Sequence, residues 1–480
     1  MRLTLKSVRL RSLAAIILLL LSVASYVSSS PVAFGAESEI KDGYAIVATP
    51  AVLEDAEWVK VVDALATKYS DQYEVSKISW DDQAFLKLRD PLPKYVCFVV
   101  KPEEASVERL ATIWQETRKL DDDPYGDVIW GIITGFDASD AIRLANVKNC
   151  EIKTACGGTS IPLDYFESGV VFDESKQNHW RVKEKGGKAE DRNDAPDDTT
   201  HAIADALNTA QLFVTSGHAS ERNWSLGYAY KNGYFISQNG VLFGAPSNGD
   251  PFKIQATGSK IHIAAGNCLL ANINNKDCMT LALIRNVNVD TLIGYVVPTW
   301  FGYMGWGVLD YFIEQPGRFS VAESVFVNNQ ALLYTLEKTE AEANNEAAKN
   351  DRSLAQKLEG LKFDRDVVAI YGDPAWKNAL VPQDSGWNQK LESKQEDDGS
   401  TTWTLTIEPL KGAESYKLVD GNGSQRSGRP IFQLLPKRIA NIQVIDGAEF
   451  NPVVTDNFIL VPLTSETPND KPFSVKFSSK

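Results

Sequence analysis

The alternation of short apolar runs with amphipathic stretches, repeated from residue 44 to about residue 380, most constrains how this chain can fold. Residues 44–48 form an apolar run typical of a buried strand, and residues 51–68 follow with apolar side chains at helical spacing. Further apolar runs of this kind occupy residues 94–100, 127–134, 212–215, 261–264 and 291–296. Because strand and helix alternate, we predict an α/β fold with a mostly parallel sheet flanked by helices.

A different pattern begins at residue 401, where apolar and polar residues alternate strictly. Trp403, Leu405 and Ile407 point to one side of a predicted strand, and threonines point to the other. More strands are predicted at residues 415–419, 430–434, 440–445, 457–462 and 473–477. We therefore predict that residues 401–480 form a small all-β sandwich, and that the polar segment 384–400 is a linker.

Three other segments have a composition that predicts their structure. Residues 231–243 contain two Asn-Gly pairs, which are typical of tight turns, and predict an inserted β-hairpin. Residues 181–200 are charged and poor in apolar side chains, which predicts a solvated loop. Residues 334–360 are rich in Glu, Ala, Lys and Asn, which predicts an exposed helix or helical hairpin.

The first 36 residues have the pattern of a secretory signal peptide. Four basic residues precede the apolar run 13–21, and small residues follow it. We expect cleavage between about Tyr26 and Glu37, which makes the mature protein secreted, periplasmic or cell-surface. An uncleaved N-terminal anchor is the alternative, although the run is short for a span of about 20 residues. After signal removal we expect no membrane span.

The charge of the chain argues against one class of partner. The formal net charge is −14, and residues 1–36 contribute only positive charges, so the rest of the chain is more acidic still. An acidic surface repels phosphate backbones, so we expect no nucleic-acid partner.

The number and spacing of the cysteines do not favour a zinc site. There are five of them, namely Cys97, Cys150, Cys156, Cys268 and Cys278. An odd number in an exported protein leaves at least one thiol unpaired or paired with another chain, and Cys150 and Cys156 are close enough in sequence to form a small disulfide loop. None of them has CxxC spacing and the four histidines are scattered, so a zinc site is not expected.

Two strand ends carry residues suited to nucleophilic chemistry. The run 212–215 is followed by Gly217 and His218, and the run 261–264 is followed by Cys268. Ligands of open parallel sheets sit beyond the carboxyl ends of the strands, so His218 and Cys268 are predicted to lie side by side. A thiolate with a neighbouring imidazole is the arrangement of a cysteine nucleophile and its base.

The same two segments predict an oxyanion hole. The backbone amides of Cys268 and Ala219 are the candidates to hold a negatively charged oxygen. Taken alone, such a cysteine is more often a buried core residue and such a histidine a loop cap, but the pairing at two strand ends favours chemistry. His262 alternates within a strand and is predicted to be structural, and the remaining two histidines have no comparable context.

These segments resemble the gingipain-type branch of the caspase-like cysteine peptidases. The likeness rests on LFVTSGHASERNW at 212–224, IHIAAGNCLLANI at 261–273, and the helix and strand that follow at 278–300. The segment 122–128 resembles the family's Asp-Asp-x-Tyr-x-Asp motif, and 371–374 resembles its closing motif before an immunoglobulin-like domain. About 50 residues separate the histidine from the cysteine, as in caspases.

The resemblance implies a domain organisation. Residues 37–383 would be a caspase-like peptidase domain, with two possible subdomains at about 37–160 and 161–383, and residues 401–480 would be an immunoglobulin-like β-sandwich. This sequence departs from the family at Ala219, where a glycine is usual, and at Asn267, where alanine or serine is usual.

The resemblance also implies further site residues. An acidic residue often orients the histidine in this family, and Glu174, which follows the strand-like run 169–172, is the candidate here. A solvated loop acid is the alternative for Glu174. Related enzymes bind calcium, for which the weak candidates are Asp121, Asp122, Asp123 and Asp127. An exposed acidic run is the alternative for these four, so no metal is assigned and no other cofactor is expected.

Two functions of different classes follow. The first is an exported cysteine endopeptidase, a hydrolase acting on peptide or protein substrates through a Cys268–His218 dyad. The second is a catalytically inactive peptidase-like scaffold that acts as a peptide-binding or adhesion module. The intact dyad favours the first function, and the altered neighbours Ala219 and Asn267 keep the second open.

Overall fold

A computed structural model describes residues 42–345 and 350–480, so the predicted signal peptide at 1–36 lies outside the described residues. The strands are β1 (Gly43–Ala48), β2 (Glu74–Ser79), β3 (Tyr95–Val99), β4 (Ile129–Ile133), β5 (Cys150–Ile152), β6 (Thr154–Gly157), β7 (Ser168–Phe172), β8 (Trp180–Lys183), β9 (Glu190–Arg192), β10 (Leu212–Thr215), β11 (Asn223–Ser225), β12 (Tyr234–Gln238), β13 (Val241–Ala245), β14 (Phe252–Lys253), β15 (Lys260–Ala264), β16 (Val289–Tyr295), β17 (Val368–Tyr371), β18 (Asn378–Leu380), β19 (Trp387–Gln395), β20 (Thr401–Pro409), β21 (Ile431–Leu434), β22 (Gln443–Asp446), β23 (Val453–Val454), β24 (Phe458–Val461) and β25 (Phe473–Ser479). The helices are α1 (Pro50–Leu53), α2 (Ala56–Tyr69), α3 (Ala84–Lys87), α4 (Val107–Glu116), α5 (Ala138–Ala145), α6 (Thr200–Ala206), α7 (Met279–Val287), α8 (Tyr303–Phe312), α9 (Val321–Ala343) and α10 (Arg352–Asp364).

A twelve-stranded sheet organises residues 42–371, in the order β2-β1-β3-β4-β17-β16-β15-β10-β6-β7-β8-β9. Neighbouring strands run parallel except where β17 pairs with β16 and where β8 pairs with β7 and β9. The central strands are buried on both faces, as their continuous apolar sequences require. The predicted α/β class with a mostly parallel sheet flanked by helices is confirmed at this level of description.

Local sequence signals explain where the flanking helices begin. The carboxylate of Asp55 accepts the Glu57 backbone N–H at 3.0 Å and caps α2. Helix α9 begins with a capping box, in which the Ser320 and Glu323 side chains each accept the other's backbone N–H. These two helices, with α10, confirm the helical prediction for 51–68 and for the region around 334–360.

The C-terminal residues form two antiparallel sheets, β19-β20-β25-β22 and β21-β24-β23, which enclose a core of their own. Strand β24 is buried on both faces. Its Ile459 and Val461 enter the core between the two sheets, whereas Phe458 and Leu460 join the core of the large sheet's helices. The β-rich tail therefore shares apolar packing with the preceding residues.

Several sequence predictions need correction. Residues 387–395, expected within a linker, form β19 and pair with β20 over their whole length. Strand β9 and all of β8 except Trp180 fall within the segment 181–200, expected to be a solvated loop. Strands β9 and β19 lie at sheet edges with mostly exposed side chains, so their sequences lack the apolar pattern of buried strands. Strand β8 is half-buried, with Val182 as its only buried residue. Residues 415–419 do not form the expected strand and follow a short 3₁₀ turn.

The predicted hairpin is confirmed. The inserted hairpin is present as β12 and β13, joined by a turn at Asn239 and Gly240, both of which have positive φ. Within residues 42–345 and 350–480, no helix is both long and apolar enough to span a membrane.

Candidate active site

The carboxyl ends of five neighbouring parallel strands meet at one edge of the large sheet. Strand β10 lies between β15 and β6, and Thr215 at its end is level with Ala264 at the end of β15. Strands β16 and β7 continue the parallel array on either side. The residues that follow these strands, including His218 and Cys268, therefore emerge at the same edge.

His218 follows a turn that requires glycine. Gly217 has φ +90°, a left-handed conformation that is strained for residues with a side chain. This turn leads from the end of β10 to His218. The His218 imidazole is exposed and stacks on the Tyr228 ring, with 5.0 Å between ring centroids. Among the described residues the His218 imidazole nitrogens make no hydrogen bond, so they are open to solvent or a ligand.

Cys268 lies in a comparable turn at the end of β15. Its Sγ accepts the Thr299 backbone N–H at 3.2 Å, which fixes the sulfur against the segment after β16. The next residue, Leu269, has φ +59°, which is uncommon outside glycine. Such backbone strain is found at functional sites, where the surrounding structure maintains it.

The two amides predicted to form an oxyanion hole are free to act. Neither the Cys268 nor the Ala219 backbone N–H donates a hydrogen bond to any residue in the described part of the chain. Ala219 is instead held by a bridge to Trp224 and by the Ser225 backbone N–H, which donates to the His218 carbonyl at 2.8 Å. An unpaired amide beside a nucleophile is the donor that a developing oxyanion needs.

Glu174 lies beside the histidine turn. A Cβ added to Gly217 would lie 3.2 Å from Glu174 Oε2, and this oxygen has no hydrogen-bond partner within the described ranges. The Thr159 hydroxyl donates to the other carboxylate oxygen at 2.9 Å. Burial raises the pKa of Glu174 to about 7. The predicted contact with the His218 imidazole is not made, since the carboxylate adjoins the backbone of the preceding residue.

A buried polar network under the site was missed by sequence reasoning. The Thr215 hydroxyl donates to Asn267 Oδ1 at 2.6 Å and is 2.8 Å from His262 Nε2. The Asn267 amide donates to the Gly217 carbonyl at 3.1 Å. His262 is thus a buried structural residue, as predicted, and its hydrogen bond to Thr215 also connects it to the strand end that precedes His218. The only sequence signal was the unusual residue Asn267 directly before the cysteine.

The tail also reaches this edge. The Trp306 indole lies between two glycines, because added Cβ atoms would approach it to 3.1 Å at Gly266 and to 2.4 Å at Gly423. The Ser160 hydroxyl, just beyond β6, donates to the carboxylate of Asp420. The segment around residues 420–424 therefore flanks the strand ends.

The predicted calcium ligands lie elsewhere in the fold. One carboxylate oxygen each from Asp121, Asp123 and Asp127 lies within 4.8 Å of the others, whereas Asp122 is not part of this cluster. Burial, together with the charge of Asp121, raises the pKa of Asp127 to about 8. Such a cluster can take up a proton or a cation, and calcium stays a prediction. The Asp127 carbonyl accepts from Asn457 of the tail at 3.2 Å.

The remaining cysteines do not join the site. All five cysteines fall in the described residues and are free, so the suggested Cys150–Cys156 disulfide loop is not formed. Cys150 lies in β5, which pairs with β18, whereas Cys156 lies in β6 of the large sheet. Burial raises the pKa of Cys150 to about 11 and those of Cys156 and Cys278 to about 12.

Comparison with known proteins adds no information about this site. No family model matches the chain, and no curated protein matches it significantly.

Proposed function

We propose that the protein is an exported cysteine endopeptidase of the caspase-like, gingipain type, which its His and Cys segments resemble. One observation carries the proposal. Strands β10 and β15 are parallel neighbours with Thr215 level with Ala264, so the turns bearing His218 and Cys268 lie side by side at one open edge. The immunoglobulin-like identity of the tail and the signal peptide belong to the same proposal.

The chemistry would proceed in two stages. The Cys268 thiolate attacks the scissile carbonyl, and the Cys268 and Ala219 amides stabilise the oxyanion. His218 takes up the thiol proton and gives it to the leaving amine, which departs as the acyl-enzyme forms. Water, activated by the same imidazole, then hydrolyses the thioester and restores the thiol.

A peptidase-like scaffold without activity is the second candidate. The observation in its favour is that the His218 imidazole stacks on Tyr228 while the Cys268 sulfur is bonded to the Thr299 amide. Catalytic contacts are often loose before substrate binds, so this arrangement is compatible with either function.

Incubation with a peptide library under reducing conditions separates the two. We expect wild-type protein to cleave peptides and Cys268→Ala to lose cleavage by more than about 1000-fold without loss of thermal stability. Cys150→Ala, at a half-buried cysteine in β5, is the matched control and should cleave normally. Binding of peptides without cleavage would establish the scaffold and reject the peptidase.

A further inference from the structure

The side chain of Asn267 connects the two catalytic turns. Asn267 immediately precedes Cys268 and is 0% exposed. Its amide donates at 3.1 Å to the carbonyl of Gly217, which immediately precedes His218. One side chain thus bridges the residue before the nucleophile and the residue before the base.

The orientation of this amide is dictated by the groups beneath it. A threonine hydroxyl has one proton, and that of Thr215 is donated to Asn267 Oδ1. Thr215 Oγ1 must therefore accept from His262 Nε2, which fixes the Nε2–H tautomer of that imidazole. His262 Nδ1 is left as an acceptor with no partner in the described chain. Burial lowers the pKa of His262 to about 3, so the ring stays neutral.

The direction of donation is therefore the same along the whole chain of groups. His262 donates to Thr215, Thr215 donates to Asn267, and Asn267 donates to the Gly217 carbonyl. Reversing the amide would set two acceptors, Oδ1 and the Gly217 carbonyl, against each other in a buried space, which is costly. Only one arrangement of Asn267 is compatible with its surroundings.

We propose that Asn267 is a positioning residue that sets the separation of the His218 and Cys268 turns through its hydrogen bond to the Gly217 carbonyl. The inference rests on the proposed peptidase function and adds to it a role for the residue before the nucleophile. Both turns contain left-handed residues, Gly217 and Leu269, and strained turns keep their geometry only when neighbouring contacts hold them.

The test compares four variants for peptide cleavage. Asn267→Ala removes the bridge, and Thr215→Val removes the hydroxyl that orients it. Thr215→Ser retains that hydroxyl. Asn378→Ala is the matched control, because Asn378 is also a buried amide, which accepts the Val321 backbone N–H and donates to the Trp376 carbonyl away from the dyad.

We expect Asn267→Ala to lower kcat by roughly 10- to 100-fold with KM changed by less than about twofold, because misplaced catalytic groups affect the chemical step. Thr215→Val should lower kcat in the same way, and Thr215→Ser should restore it. The double variant that combines Asn267→Ala with Thr215→Val should have a kcat no lower than that of Asn267→Ala, since Thr215 acts through Asn267. In wild-type protein, nitrogen NMR should place the His262 proton on Nε2.

Alkylation of Cys268 by iodoacetamide provides a readout without substrate. Asn267→Ala should slow it several-fold, as His218→Ala does, while Asn378→Ala should not. If wild-type protein never cleaves peptides but alkylation slows in this way, the peptidase proposal fails and the positioning role stands. Unchanged kcat and alkylation in a folded Asn267→Ala variant, or a His262 proton on Nδ1, would overturn the positioning role.

Discussion

His218 and Cys268 stand at an open sheet edge with few polar partners, whereas four charged residues that join α8 to the tail are enclosed and paired. This second group, the tail clamp, consists of Asp310, Glu314, Arg426 and Arg429. Arg426 and Asp310 side chains are 2% and 1% exposed, and the Glu314 carboxylate accepts the Val419 backbone N–H at 3.0 Å.

The polar groups of the two regions differ in whether they are paired. In the tail clamp every charge has an opposite charge in contact, and removing Arg426 leaves Glu314 buried without one. At the sheet edge the His218 imidazole and the Cys268 and Ala219 backbone amides make no hydrogen bond among the described residues, which under the proposed peptidase function leaves them available to a substrate. The comparison predicts large stability losses at the clamp and large activity losses at the edge.

The largest expected effect on stability comes from breaking the clamp. Arg426→Ala leaves Asp310 and Glu314 with fewer cations in a buried setting, so the free energy of unfolding should fall by about 3 kcal/mol or more. Urea unfolding measures it. Lys390→Ala removes an ion pair whose Lys390 side chain is 72% exposed, and should cost less than about 1 kcal/mol. Equal losses in the two variants would remove the distinction drawn here.

The next effect concerns Glu174, which shares features of both regions because it is half-buried and only one of its carboxylate oxygens has a hydrogen-bond partner among the described residues. Its pKa is raised from 4.5 to about 7, so the folded protein retains a proton that the unfolded chain releases in this interval. Stability contributed by this group therefore falls as pH rises from about 4.5 to 7.

Glu174→Gln should remove that loss. Between pH 5 and pH 8, the variant should gain on the order of 2 kcal/mol in unfolding free energy relative to wild type. Glu392→Gln, at an acid that is 58% exposed, is the control and should follow the wild-type curve. A constant difference between Glu174→Gln and wild type across this range would contradict the buried ionisation.

A smaller loss of stability is expected at Gly217, where the strain of a left-handed backbone can be distinguished from the contact with Glu174. Gly217→Ala should cost about 1–2 kcal/mol, since its φ is +90° and its Cβ would press on Glu174 Oε2. Gly399→Ala is the control for backbone strain alone, because Gly399 has φ +82° and no atom lies within 4 Å of its Cβ position. Thermal unfolding measures the stability of the two variants and peptide cleavage measures their kcat. Only Gly217→Ala should lower kcat. Equal kcat in the two variants would argue against a turn that positions His218.

The strands that carry the dyad were predictable from sequence because both are buried on two faces and hence continuously apolar. Residues 212–215 and 261–264 are strands β10 and β15 as expected. Strand β19 was not predictable, because all but its first few side chains are exposed and polar. Its pairing with β20 depends on backbone hydrogen bonds, which leave no apolar pattern in the sequence.

The surroundings of the site were harder to predict than the dyad. The bonds of Asn267 join it to residues about 50 positions away, and nothing in local sequence specifies such partners. Arg426 lies in a polar, glycine-containing stretch that resembles a surface loop, and only the folded tail brings it to Asp310. Glu174 was placed near the histidine turn by its position after β7, but its contact with the backbone depends on tertiary structure.

The most direct test of the central claim, that His218 activates Cys268 at one sheet edge, is the alkylation rate of each cysteine. Folded protein is treated with iodoacetamide near neutral pH, and each of the five thiols is followed by mass spectrometry. Cys268 should react at least about tenfold faster than the other four, and His218→Ala should abolish this advantage. A Cys268 rate that is unchanged in His218→Ala, or no faster than that of half-buried Cys150, would contradict the account.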